Sequence, residues 1–143
     1  MAVQAGKNLV FKLTDAGSSV RTLSTYVSKI TTGLKGHTLV DVTAGGDSGH
    51  TYASDELEDG QFTVEMWYDP TATTGPFVVC EGVRDATSAT AFEIGPAGST
   101  STYTKLSGNC WVEDLTVDTP VGEVVKMTAS FKVDGAYTVG VYS

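Results

Sequence analysis

From Gln61 to Tyr68 the chain alternates without a break: Phe62, Val64, Met66 and Tyr68 fall on one side of an extended backbone, and Gln61, Thr63, Glu65 and Trp67 on the other. A period of two does not suit a helix and requires a half-buried strand, one face against a core and the other free. The pattern returns near the C-terminus, where Val125, Met127, Ala129, Phe131 and Val133 share a face opposite Lys126, Thr128, Ser130 and Lys132. Whatever else the chain does, these segments commit it to a sheet.

The remaining segments fit around them. Residues 39–43 read as a short strand, followed by a polar, acidic, glycine-bearing loop at 44–60. A loop of that length inside a compact domain is either functional or disordered. At the N-terminus residues 7–14 are strand-like, Asp15-Ala16-Gly17-Ser18 supplies a turn, and 20–32 resumes extended structure as the second arm of a hairpin. In that arm Tyr26, Ser28 and Ile30 alternate against Val27, Lys29 and Thr31, a mixed pattern suited to an edge or a contact surface. One short helix is predicted over about 76–86, with Pro76 in its first turn and an apolar stripe of Val79, Cys80 and Val83. Strands follow at 90–95, 103–117 and 123–133, the last two paired around Asp118-Thr119-Pro120-Val121-Gly122, and Asp134-Gly135 predicts a tight hairpin into 137–142.

A chain of 143 residues with 16 Gly, 4 Pro and abundant Thr and Val is read as one domain, 1–143, of mainly β class: an antiparallel β-sandwich or barrel flanked by one short α-helix, with a long acidic loop. No run of about 18 apolar residues is present and the opening residues lack a signal-peptide core, so no membrane anchor is expected and a cytosolic origin is. There Cys80 and Cys110 would stay as buried thiols. The net charge of -8 is uneven. Residues 1–35 hold five basic groups and one acid, residues 36–83 nine acids and no Lys or Arg, and the rest four basic groups and seven acids. Such a surface argues against tight nucleic-acid binding but not against a protein past which DNA slides.

Chemistry-bearing motifs are few. Gly46-Asp47-Ser48-Gly49 resembles the segment around a serine-protease nucleophile, but His37 stands outside any matching context and His50 replaces the glycine that should follow, so a chance match in a Gly/Ser/Asp loop is favoured. Asp47, His50, Asp55 and Glu56 match no metal-ligand spacing, and a solvated acidic loop is the simpler reading. Trp67 and Trp111 could stack a sugar, although aromatics on strands more often fill cores or subunit contacts. No cofactor and no catalytic activity are expected.

Three stretches together resemble the tail tube (major tail) proteins of long-tailed, non-contractile bacteriophages, to which type VI secretion tube proteins are similar. They are Val40-Asp41-Val42-Thr43 leading into the long loop; Asp59 through the alternating strand to Asp69-Pro70; and Leu106-Ser107-Gly108 through Trp111-Val112 to the strand ending at Asp134-Gly135. The resemblance implies a structural virion protein, made in the host cytoplasm, whose copies form six-membered rings stacked into a hollow tube for passage of double-stranded DNA. It also implies tape measure, tail terminator and distal tail proteins as partners, and makes 44–60 a loop that reaches the adjacent ring. From charge alone, stacking is expected to pair Asp47, Asp55, Glu56, Glu58 and Asp59 with Lys7, Lys12, Arg21 and Lys29 of the next ring. Gln61, Thr63 and Glu65, on the polar face of the central strand, are the candidates to line the bore. The competing reading is a β-sandwich binding module, for glycans or as a phage decoration.

Overall fold

The structure, a computed structural model, describes residues 6–35, 38–54 and 59–143. In chain order these form β1 (Val10–Thr14), β2 (Val20–Thr22), β3 (Val27–Lys35), β4 (Leu39–Asp41), β5 (Tyr52–Ser54), β6 (Asp59–Trp67), α1 (Pro76–Arg84), β7 (Thr90–Gly95), β8 (Thr104–Asp118) and β9 (Lys126–Val141). Seven strands make one antiparallel sheet in the order β2-β1-β7-β8-β9-β6-β3, and β4 and β5 pair separately as a ribbon between β3 and β6.

The alternating strands behave as their pattern requires. Phe62, Val64 and Met66 on β6 and Met127, Ala129 and Phe131 on β9 are sealed from solvent, and Phe62 pairs with Phe131 across the ladder. Their rings stack at 4.7 Å, and Phe11 of β1 meets both edge-on at 6.1 Å. Since β1 and β6 stand four places apart in the strand order, a flat sheet would separate them by roughly 19 Å. The sheet therefore curls into a half-barrel and closes its core upon itself. The long β8–β9 ribbon makes the curl possible: its outer half pairs with β7, and through β7 with β1, whereas its turn-side half pairs with β6.

The helix forms where Pro76 can occupy its first turn, and it buries Val79, Cys80 and Val83 against the sheet while Arg84 pairs outward with Glu81 at 2.6 Å. It ends at Arg84, two residues before the predicted boundary.

The connectivity departs from the sequence reading in three places. Residues 20–32 are not one arm of a hairpin, because the chain breaks at a 3-10 turn, Ser24–Tyr26, and crosses to the opposite edge of the sheet, where β3 pairs with β6. Ser24 enables the crossing by accepting the Phe11 N–H at 3.0 Å, which occupies a β1 donor that β2 does not reach. Residues 44–60 are not an irregular loop, since β5 lies within them and Asp59 and Gly60 already belong to β6. Asp134-Gly135 makes a bulge rather than a hairpin. Asn109 faces Asp134 and Ser107 faces Thr138, so three residues of β9 oppose Gly108, and Gly135 takes φ +72. The bulge sends Tyr137 over Gly60, where an added Cβ would come within 3.2 Å of its ring.

Candidate self-association surfaces

The β4–β5 arm is exposed along its whole described length, residues 38–54. Its far end is tied by its own short polar side chains, which replace the packing that a lone ribbon lacks. Asp41 accepts from the Thr43 N–H at 3.0 Å and from the Thr43 hydroxyl, and its other oxygen lies 3.1 Å from His50 Nδ1. Thr43 Oγ1 accepts the Thr51 N–H at 2.9 Å, and Asp47 accepts the Ala44 N–H at 2.8 Å. The Thr43 hydrogen bonds, side chain first, hold the Asp41 carboxyl below its ordinary pKa. Gly46-Asp47-Ser48-Gly49 is thus the bend of a ribbon, with Gly46 at φ +96, and lies on an exposed tip rather than in a cleft. Asp47 and His50 are each held by groups of the arm, whereas His37, Asp55, Glu56 and Glu58 lie outside the described residues.

The basic set assigned to stacking is divided among several places. Arg21 Nε donates to Asp15 at 2.7 Å, a contact that leads the depression of the Asp15 pKa. Lys12 lies 3.7 Å from Glu93, which also meets Lys105 at 3.8 Å and accepts the Tyr142 hydroxyl at 2.9 Å. Lys7 and Lys29 line a cleft of about 440 Å³ with Ser24, Ile94 and Pro96, where the half-barrel stays open between β3 and the start of β1. Asp59 sits at the start of β6 with Lys132 Nζ at 2.7 Å. Three of the named charges, Lys12, Arg21 and Asp59, already have ion partners within the subunit.

Gln61, Thr63 and Glu65 stand on the face away from the core, as the alternation requires. Cross-strand rows place Gly33 and Lys132 beside Gln61, Thr31 and Ser130 beside Thr63, and Lys29 and Thr128 beside Glu65. This face is hydroxyl-rich, and Lys29 stands in register with Glu65 one strand away. Lys29 and Glu65, assigned to different interfaces from the sequence, are ladder neighbours. Trp67 and Trp111 lie on the same side but on β6 and β8, aligned with Lys126 and Lys132 of the intervening β9. Those positions are six residues apart, roughly 20 Å along a strand, so the two indoles form no single sugar platform. Cys80 and Cys110 are buried thiols, both pushed up to about 12 by burial.

The outer margin of β3 and that of β2 end the sheet, and β3 presents nine residues of ladder-competent backbone. Val40, Val42 and Tyr52 of the arm, readable in the sequence as apolar residues in a polar stretch, stand exposed in the fold.

No protein-family model matches this chain, and no curated protein matches it. Solved structures do. A chain from the virion of a native gene transfer agent particle aligns with TM-score 0.77 over 97% of this chain and 100% of its own, at 12% identity. A chain from the tail of an empty gene transfer agent particle, refined helically with C6 symmetry, gives 0.71 over 97% and 100%, at 11% identity. The SPP1 tail tube gives 0.71 over 97% of this chain and 81% of that one, at 11% identity. The fold is therefore one found in chains of phage-type tails, and it spans nearly all of this chain.

Proposed function

We propose that this protein is a structural tail-tube subunit of a virion, six copies closing into a ring and rings stacking into a hollow conduit for double-stranded DNA. The observation that carries the reading is the fold shared end to end with chains of tail assemblies, one of them of six-fold symmetry. Two features of the subunit support it. The free margin of β3 is suited to continue its sheet into a neighbour, and ring closure then removes the edge that would otherwise template uncontrolled pairing. The exposed arm is suited to reach beyond its own ring. Neighbour chains come from sheath-tube, cap and baseplate assemblies, which supports partners at the two ends of the tube, a terminator and a distal tail protein, and a tape measure protein is proposed with them. The role is structural rather than catalytic.

Asp55, Glu56 and Glu58, with Asp47, supply the acidic side of ring stacking in this proposal, and Lys7 and Lys29 the basic side; Gln61, Thr63 and Glu65 line the bore. Exposed pairs contribute about 0–1 kcal/mol each, so their effect is on register and polarity through repetition. Negative-stain electron microscopy of concentrated protein tests the whole reading: rings or filaments about six subunits around are expected, and a strict monomer at all concentrations refutes it. Reversal of Asp55, Glu56 and Glu58 to Lys should shorten or abolish filaments without unfolding the subunit.

A further inference from the structure

Accepting the tube reading, we infer that the arm is an apolar plug whose socket is the β8–β9 turn of the next copy along the tube axis. The arm carries apolar side chains on both faces. Val40 pairs across the ribbon with Ala53, and Val42 follows on the same face; Leu39 and Tyr52 occupy the other. Leu39, Val40, Val42 and Tyr52 are each more than half exposed, at 62%, 53%, 51% and 55%. A two-stranded ribbon is marginally stable alone, and one that is apolar on both faces is better served by insertion than by lying on a surface.

The socket is an apolar cluster at the β8–β9 turn. Val117 is 39% exposed, Val121 103% and Val124 63%, in and beside a turn where polar residues are the rule. Trp67 flanks it, with Lys126 Nζ 5.1 Å above its ring, the kind of partly exposed aromatic that dominates protein interfaces.

Placement decides how the two clusters meet. The arm leaves the sheet where Lys35 faces Asp59, at the start of β6. The turn lies against the end of β6, where Trp67 faces Lys126 and the Tyr68 N–H donates to the Val125 carbonyl at 3.1 Å. Nine strand residues separate them, about 26 Å. Plug and socket at opposite ends of one strand cannot satisfy each other within a subunit, and a two-fold pair that satisfied them reciprocally would stop at a dimer, whereas a tube needs the contact to run in one direction. A copy shifted along the strand direction brings them together, and the contact is head-to-tail and repeats without closing. The arm's described carboxylates, Asp41 and Asp47, are engaged in hydrogen bonds of the arm itself, so what its described residues 38–54 offer a neighbour includes the apolar side chains.

Two double variants test this: Val40→Asp with Val42→Asp in the plug, and Val121→Asp with Val124→Asp in the socket. Each should keep the wild-type circular dichroism spectrum and thermal midpoint, because the altered side chains are exposed in the free subunit, and each alone should lose filaments. Mixed in equal amounts, the pair retains one good plug and one good socket, so sedimentation should show a doubling of the mass of the single-variant species and no further growth. Val124→Ser should weaken filaments in the same direction without introducing charge. Filaments that persist in the folded socket variant overturn the inference and leave the tube reading standing. Wild-type protein that never forms filaments removes both.

Discussion

Phe62 sits in ring contact with Phe131 and Phe92 at 4.7 Å each and Phe11 at 6.1 Å, so it joins strands from both ends of the curled sheet. Phe62→Ala should therefore cost about 3–5 kcal/mol, measured by urea unfolding, since a cavity bounded by strands of one sheet cannot collapse easily. Tyr142 offers a second test. Burial, and then the Glu93 carboxylate that accepts its hydroxyl, push its pKa up from the ordinary tyrosine 10.0 to about 12. A group whose pKa is raised by folding contributes fully below its unfolded value, so the Tyr142 contact should hold below pH 10 and be lost as pH rises towards 12. Absorbance titration at alkaline pH should show a late-titrating phenol, and Glu93→Gln should move it to lower pH. The burial of Phe62 was legible in the alternation of its strand. The Tyr142–Glu93 contact was not, because it joins residues 49 apart in the chain.

Asp134-Gly135 shows how an element can be misread from a correct local signal. The dipeptide favours positive φ, and Gly135 does adopt it, but a hairpin and a bulge make the same local demand and differ only in which strand lies opposite. Here β8 runs past the bulge and continues to pair with β9 on its far side, and that is information from another part of the chain. Gly135→Val should cost about 1–2 kcal/mol, read from the thermal midpoint, because a β-branched residue is strained at that φ. The same reasoning accounts for β3. Its mixed pattern marked it as an edge or contact strand, yet its partner could not be read, because pairing with β6 depends on a chain crossing set by Ser24. The helix and the β8–β9 pair were legible because their signals, Pro76 at an N-terminus and a long alternation around a Pro-Gly turn, are local.

For the molecule as a whole, part of the charge singled out from the sequence is paired inside the subunit, while several apolar residues stand exposed. Lys12, Arg21 and Asp59 are satisfied inside the subunit, while the valines of the arm and of the β8–β9 turn are not covered. A sequence scan weighs Lys and Asp heavily and passes over single valines in loops; only the fold sets them at opposite ends of one strand. The facing of Lys35 and Asp59 across the ladder has its own consequence. Because the strands on either side of the arm are adjacent in register, residues 36–58 can be exchanged for a two-residue Asn-Gly turn without disturbing the sheet. The shortened protein should fold with a normal thermal midpoint, bind at one end of a growing polymer and offer nothing to the following copy. Added at a few per cent of the wild-type concentration, it should act as a chain terminator, shortening filaments in proportion to its dose.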